Sequence, residues 1–83
     1  RRREKYMYYV YILKCRDGNI YTGCTNDLKD RVERHNKGQV PATIERRPVE
    51  LISYTALKDK YKAFKYEIYL KSGSGRAFIK RHM

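Results

Sequence analysis

Tyr8-Tyr9-Val10-Tyr11-Ile12-Leu13, then Arg16-Asp17-Gly18-Asn19, then Ile20-Tyr21-Thr22-Gly23 is the stretch on which the fold turns. Residues 8–14 and 20–24 alternate and are rich in Tyr, Val, Ile and Thr, so they predict two strands. Between them lies a polar turn in which Gly18 can supply a positive φ. The length of that turn decides which side chains share a face. A two-residue loop, Asp17-Gly18, pairs Lys14 with Tyr21 and puts Tyr11 and Tyr21 on opposite faces. A three-residue loop, Arg16-Asp17-Gly18 with Gly18 left-handed, pairs Leu13 with Tyr21 and Tyr11 with Gly23. Tyr11 and Tyr21 then lie side by side. The second register, with a bulge at Gly18, is the expected one.

That register sends Cys15 and Cys24, the only cysteines of the chain, to opposite faces. No disulfide is expected between them. Neither fits a zinc spacing. Two free thiols acting as small buried fillers suit a reducing, cytoplasmic setting.

Outward from the hairpin, residues 27–37 predict a helix. Thr25 or Asn26 can cap it, Asp27 and Asp30 favour its first turns, and Gly38 ends it. Leu28 and Val32 form its apolar stripe, and Arg31 and His35, at i and i+4, lie beside them. Residues 39–48 read as a basic loop broken by Pro41 and Pro48. Residues 51–55 predict a third strand. Residues 57–71 predict the longest helix, with Leu57, Tyr61, Phe64 and Ile68 as its core face. A last short helix is expected over 74–82, with Ser74 as its cap and Phe78 and Ile79 inward.

The chain has 83 residues and a net charge of +11, from 20 Lys and Arg against nine Asp and Glu. That length predicts a single domain, residues 1–83, with 1–6 as a basic flexible tail. So short a chain buries only about 60% of its unfolded surface. No run of about 18 apolar residues is present, so no membrane span is expected. No secretory leader is expected either, because Arg1-Arg2-Arg3 runs straight into a charged segment. The positive excess makes nucleic acid the default partner, through counterion release. A merely solvated basic surface, or one that meets ribosomes or anionic lipid, is the plainer reading of charge alone.

Glu67 stands out among the acids. It lies three residues after Phe64 and three before Leu70, at the border of a buried stripe. A buried carboxylate needs a cation, a metal or hydrogen-bond donors. The ordinary explanation is an i,i+4 pair with Lys71. Arg31 offers a guanidinium suited to the spread charge of a phosphoryl transition state. His35 offers an imidazole that can accept or relay a proton. Tyr11 and Tyr21 are good strand residues first. To work as bases at neutral pH they need nearby positive charge, since a free phenol titrates near about 10.

Tyr9-Val10-Tyr11, Tyr21-Thr22-Gly23, Arg31, His35 and Glu67, in that order, resemble the GIY-YIG nuclease family, and in particular its small stand-alone members. The match runs continuously from Tyr8 to Gly38 and resumes around Arg46-Arg47-Pro48 and Tyr66-Glu67. The resemblance implies an α+β fold, a three-stranded antiparallel sheet flanked by helices in the order β-β-α-β-α-α. It implies a metal-dependent endonuclease that cuts a phosphodiester of nucleic acid, DNA foremost, by one-metal in-line attack of water, as in DNA repair. Glu67 would hold a single Mg²⁺ or Mn²⁺, and Arg31 would stabilise the pentavalent phosphate. Tyr11 and Tyr21 would position or deprotonate the water, with His35 assisting. Lys14, Lys29, Lys37, Arg46, Arg47 and Arg76 are the expected phosphate contacts. The chain departs from the family pattern twice. Tyr9 stands where the name motif has Gly. The stretch 73–79 has no counterpart to a family Asn, a place Ser74 or Arg76 can fill. The alternative is a non-catalytic nucleic-acid-binding module that kept the nuclease fold, or a basic domain serving a larger assembly. Target choice would then rest on substrate shape, a partner protein or a homodimer.

Overall fold

The computed structural model describes residues 7–82, so the expected tail over 1–6 lies outside the described residues. The chain runs β1 (Tyr8–Cys15), β2 (Ile20–Thr25), α1 (Leu28–Asn36), β3 (Val49–Leu57), α2 (Lys60–Lys71) and α3 (Gly73–His82). The three strands form one antiparallel sheet in the order β2-β1-β3. This is the β-β-α-β-α-α architecture the sequence predicts.

β1 is the middle strand, and Val10, Tyr11, Ile12 and Leu13 are buried in unbroken succession. A strand with period two can bury consecutive residues only when both faces are covered. Val10 and Ile12 pack with Ala63, Leu70 and Ile79 of α2 and α3. Tyr11, Leu13 and Cys15 pack with Val49 and, from α1, Leu28 and Val32. The sheet is therefore the wall between two small cores.

The hairpin adopts the three-residue loop. Leu13 pairs with Tyr21 and Tyr11 with Gly23. The Gly18 N–H donates to the Cys15 carbonyl at 2.9 Å, the Cys15 N–H donates to the Asn19 carbonyl at 2.8 Å, and Gly18 has φ +86°. An αL glycine after a type I turn is the bulge that this loop length requires. Cys15 and Cys24 are free and lie on opposite faces, in line with that register.

α1 starts one residue later than the expected caps. Asp27 is the N-cap, its carboxylate accepting from the Asp30 N–H at 3.2 Å. Thr25 instead accepts from the Asp27 N–H at 3.1 Å and so fixes the approach to the helix. Gly38, at φ +78°, ends it. At that end the Asn36 side chain holds β3 in place: its carbonyl accepts from the Val49 N–H at 2.8 Å and its amide donates to the Val49 carbonyl at 3.2 Å. β3 accordingly runs longer than the expected 51–55, since nearly all of β1 is there to pair with it. The basic loop before it is not wholly irregular. Ile44–Arg46 form one 3₁₀ turn.

The face of α2 is the largest correction. Leu57 belongs to β3, and Tyr61, Phe64 and Ile68 point to solvent, 74%, 43% and 68% exposed. The inward face is Ala63, Tyr66, Glu67 and Leu70. Both sets recur at helical spacing, so periodicity alone could not choose between them. Asp59 sets the start, its carboxylate accepting from the Tyr61 and Lys62 N–H groups at 2.8 and 3.2 Å. The small Ala63, fully buried, lets the helix lie close on the sheet. α3 follows at once. Ser72, not Ser74, caps it, accepting from the Gly75 N–H at 3.1 Å. Ile79 is inward as expected, but Phe78 is 39% exposed.

The two phases of α2 predict opposite stabilities. Leu70→Ala should cost about 2–5 kcal/mol. Phe64→Ala, on a half-exposed side chain, should cost less than about 1 kcal/mol. Urea unfolding of the two variants checks the orientation of the helix.

Candidate active site

The site begins with an absence of side chain. Tyr11 faces Gly23 across the β1–β2 ladder, and a Cβ built on Gly23 would overlap the Tyr11 hydroxyl and ring. The glycine is thus a socket that lets the phenol lie flat across β2. Tyr11 is fully buried there. Its hydroxyl meets Nε2 of His35 at 2.9 Å. The other ring nitrogen of His35, Nδ1, lies 2.7 Å from the Thr43 hydroxyl. His35 and Thr43 are both fully buried. Tyr21, half-buried, closes the group, its ring centroid 5.1 Å from that of His35 and 6.4 Å from that of Tyr11.

Two charges reach this cluster from opposite faces of the sheet. Arg31 lies one turn before His35 on α1, and its positive charge opposes the rise of the Tyr11 phenol. Glu67, on α2, comes from the other face. Its carboxylate is 20% exposed and pairs with Lys71 at 3.0 Å, and the Lys71 ammonium lies 5.8 Å from the centroid of the Tyr21 ring. The ordinary i,i+4 pair is therefore present, and it sits beside the phenols. The charges of Arg31 and Glu67 act in opposite senses on the Tyr11 phenol and on the Cys24 thiol, Arg31 lowering and Glu67 raising each.

Burial pushes the Tyr11 phenol well above its ordinary range, the Tyr21 phenol adds to this, and Arg31 opposes it. Burial holds His35 below its usual value, and the Arg31 charge lowers it further. Burial and then the Glu67 carboxylate raise the Cys24 thiol, so it stays protonated.

The expected phosphate contacts divide into groups. Lys14, Arg46 and Arg76 line a cavity of about 800 Å³ together with Tyr21, Lys71 and Lys80. Arg46 is partly committed within it. Its Nε pairs with Asp17 at 3.0 Å and its guanidinium reaches the Ile20 carbonyl at 3.4 Å, so it ties the 3₁₀ turn to the hairpin. Lys29 lines a different groove, between α1 and β3, with Tyr9 and Tyr54. Lys37 and Arg47 lie at the far end of α1, where Arg47 donates to the Ile44 carbonyl at 2.9 Å and crosses Gly38. Of the two substitutes for the family Asn, Arg76 faces the cavity beside Tyr21, whereas Ser74 is not among its lining residues. Sequence reasoning missed Thr43 and Lys80. Thr43 gives no local signal, and its partner is eight residues away along a loop. Lys80 follows Arg76 by one helical turn, a spacing that marks it as a neighbour.

The divalent cation that the resemblance implies can be tested against these donors. Among the described residues there is no cluster of three or more His, Cys, Asp or Glu. A zinc-type site is therefore not offered. Mg²⁺ takes oxygen donors and is commonly held by one or two carboxylates, substrate phosphates and retained waters. A single half-buried carboxylate beside an open basic cavity fits that demand, and Lys71 already places a positive charge on one of its oxygens.

A family model described as the GIY-YIG catalytic domain matches residues 7–80. The chain belongs to the GIY-YIG family. Its curated relatives include a UPF0213 protein of Bacillus pumilus (strain SAFR-032), 43% identical over 70 residues that cover 83% of this chain and 71% of the relative. A UPF0213 protein of Staphylococcus saprophyticus is 39% identical over 74 residues, covering 88% of this chain and 90% of the relative. Among solved structures, a UPF0213 protein of Bacillus halodurans, determined by NMR in solution, is 33% identical with a TM-score of 0.58, covering 90% of this chain and 83% of that one.

Gly23→Ala should destabilise the domain by about 1–3 kcal/mol, because the added methyl must push the buried phenol out of its place. Thermal melting of the variant checks this. His35 contributes a pH dependence. Below its unfolded value of about 6.5 the unfolded chain takes up a proton that the buried imidazole refuses. Stability should therefore fall as pH drops below that value, by at most about 1.4 kcal/mol per unit. Unfolding at pH 7 and pH 5 should show that component in the parent chain and not in His35→Asn.

Proposed function

We propose that this chain is a divalent-metal-dependent endonuclease that hydrolyses a phosphodiester of nucleic acid, with DNA the first substrate to try. The observation that carries the reading is the Tyr11–His35–Tyr21 cluster, with Arg31 one turn before His35, the Glu67–Lys71 pair against the Tyr21 ring, and a cavity lined by Tyr21, Lys14, Arg76 and Lys80. A structural role alone does not call for a buried phenol–imidazole pair next to a guanidinium and a lone carboxylate, since buried polar groups are costly unless fully paired.

The basic cavity receives the backbone on one side of the scissile bond. Tyr11 and Tyr21 position the attacking water; one of them, having first given its own proton to solvent, would accept the water's proton as the phenolate. Arg31 faces the non-bridging oxygens as charge grows on them, and it is a group that cannot lose its own proton. Glu67 would hold Mg²⁺ or Mn²⁺, which when bound supplies Lewis-acid polarisation of a phosphate oxygen and a positive charge that favours the phenolates. Lys71 keeps the carboxylate oriented until then.

Glu67→Gln and Arg31→Ala should each lower cleavage of labelled DNA by about 10²-fold or more, while binding is retained. Linear, branched and single-stranded DNA and RNA, each with Mg²⁺ or Mn²⁺, form the assay panel. Equal cutting by the parent chain and Glu67→Gln would refute the enzyme. Salt-sensitive binding with no cutting in either metal would establish the non-catalytic module instead.

A further inference from the structure

Lys71 is the last residue of α2 and belongs to two places at once. Its ammonium pairs with one oxygen of Glu67 at 3.0 Å. It also lines the cavity of about 800 Å³, whereas Glu67 is not among the lining residues. The cations around that cavity are Lys14, Arg46, Lys71, Arg76 and Lys80, and no acid lines it. Arg46 is held by Asp17 at the hairpin turn. Lys71 is held by the carboxylate that the proposed reaction needs for its metal.

The two members of this pair are fixed unequally. Glu67 lies on the inward face of α2 and its side chain is 20% exposed, against 49% for Lys71. The carboxylate stays, and the ammonium is the part that can leave. Lysine suits that task, because it is a point charge on a flexible stem and makes no two-point fork with a carboxylate as arginine does. A half-exposed i,i+4 pair is also only weakly favourable. The ammonium already lies 5.8 Å from the centroid of the Tyr21 ring, and Tyr21 lines the same cavity. While it stays on Glu67 it opposes a divalent cation there twice, by occupying an oxygen and by repelling a like charge at close range. A phosphodiester in the cavity offers it another anion.

We propose that Lys71 is a positioning residue that couples the cavity to Glu67: it holds the carboxylate in the free protein and turns to a backbone phosphate when nucleic acid enters, leaving Glu67 open to Mg²⁺ or Mn²⁺. Nucleic acid then strengthens the binding of the cation, and by reciprocity the cation strengthens the binding of nucleic acid. The inference rests on the nuclease reading for its purpose, but the coupling can be measured without any cutting.

The test is Mn²⁺ binding, read from the loss of the free-ion EPR signal, with and without a short phosphorothioate DNA that resists cutting. The chains compared are the parent, Lys71→Met, Lys71→Arg, Lys80→Met and Glu67→Gln. Without DNA, Lys71→Met should bind Mn²⁺ about fivefold or more tightly than the parent. Lys71→Arg, which keeps the charge, should bind it no more tightly than the parent. Lys80→Met removes an equal charge from the same cavity but not from the Glu67 pair, and should stay near the parent. Adding the DNA should tighten Mn²⁺ binding more in the parent than in Lys71→Met. Equal Mn²⁺ affinity in the parent and Lys71→Met overturns the inference. So does an equal gain in Lys80→Met, which would make the effect one of net charge, and so does unchanged affinity in Glu67→Gln, which would put the cation elsewhere. If Lys71→Met does not fold, Lys71→Gln takes its place under the same criteria. If Mn²⁺ responds as expected but no chain cuts DNA or RNA, the coupling stands and the nuclease reading fails. If the parent cuts and Lys71→Met binds Mn²⁺ no better, the nuclease reading stands and the coupling fails.

Discussion

The contact between the Tyr11 ring and the bare backbone of Gly23 is the constraint from which the rest of the site follows. It exists only in the register set by the three-residue turn at Gly18. In that register the phenol crosses β2 and delivers its hydroxyl to His35. Shifting the pairing by one residue would turn every side chain of β2 to the other face. The turn, the glycine and the histidine on the next helix therefore act together, although they are separated along the chain.

This part of the molecule was legible in the sequence because parity arithmetic governs strands. Once the turn length is chosen, Tyr11, Tyr21 and Gly23 have no freedom left. The spacing of Arg31 and His35 was equally readable, since i and i+4 share a helix face. α2 was not readable in the same way. Tyr61, Phe64 and Ile68 compete with Ala63, Tyr66 and Leu70 at the same period, and apolarity favoured the wrong set. Close approach to a flat sheet rewards a small residue over a large one, and that preference is a property of the partner surface. Ser72 and Asp27 displaced the expected caps for a similar reason, because where each helix begins is set by what it must pack against. Thr43 was invisible because its role depends on a loop folding back over α1.

Net charge, too, proved a coarser guide than position. Some cations hold the fold together: Arg46 braces the hairpin turn through Asp17, and Arg47 folds over Gly38. Others are left to line the cavity beside Tyr21, where Lys14, Arg76 and Lys80 meet with no acid among the lining residues. Lys71 stands between these roles, tied to Glu67 and lying near the Tyr21 ring. α2 carries one acid among its charged side chains, and that acid is turned inward.

The middle strand, buried on both sides, has a further consequence. Val10 and Ile12 look one way and Tyr11 and Leu13 the other, so each core reaches the strand through its own alternate set of side chains. Aliphatic residues under α2 and α3 can drift among shapes of equal volume without disturbing a single hydroxyl across the partition. An inserted or deleted residue in this strand enjoys no such latitude, because it would exchange the tenants of both rooms at once. Lineages carrying this architecture should therefore vary in substitution along the strand while keeping its length.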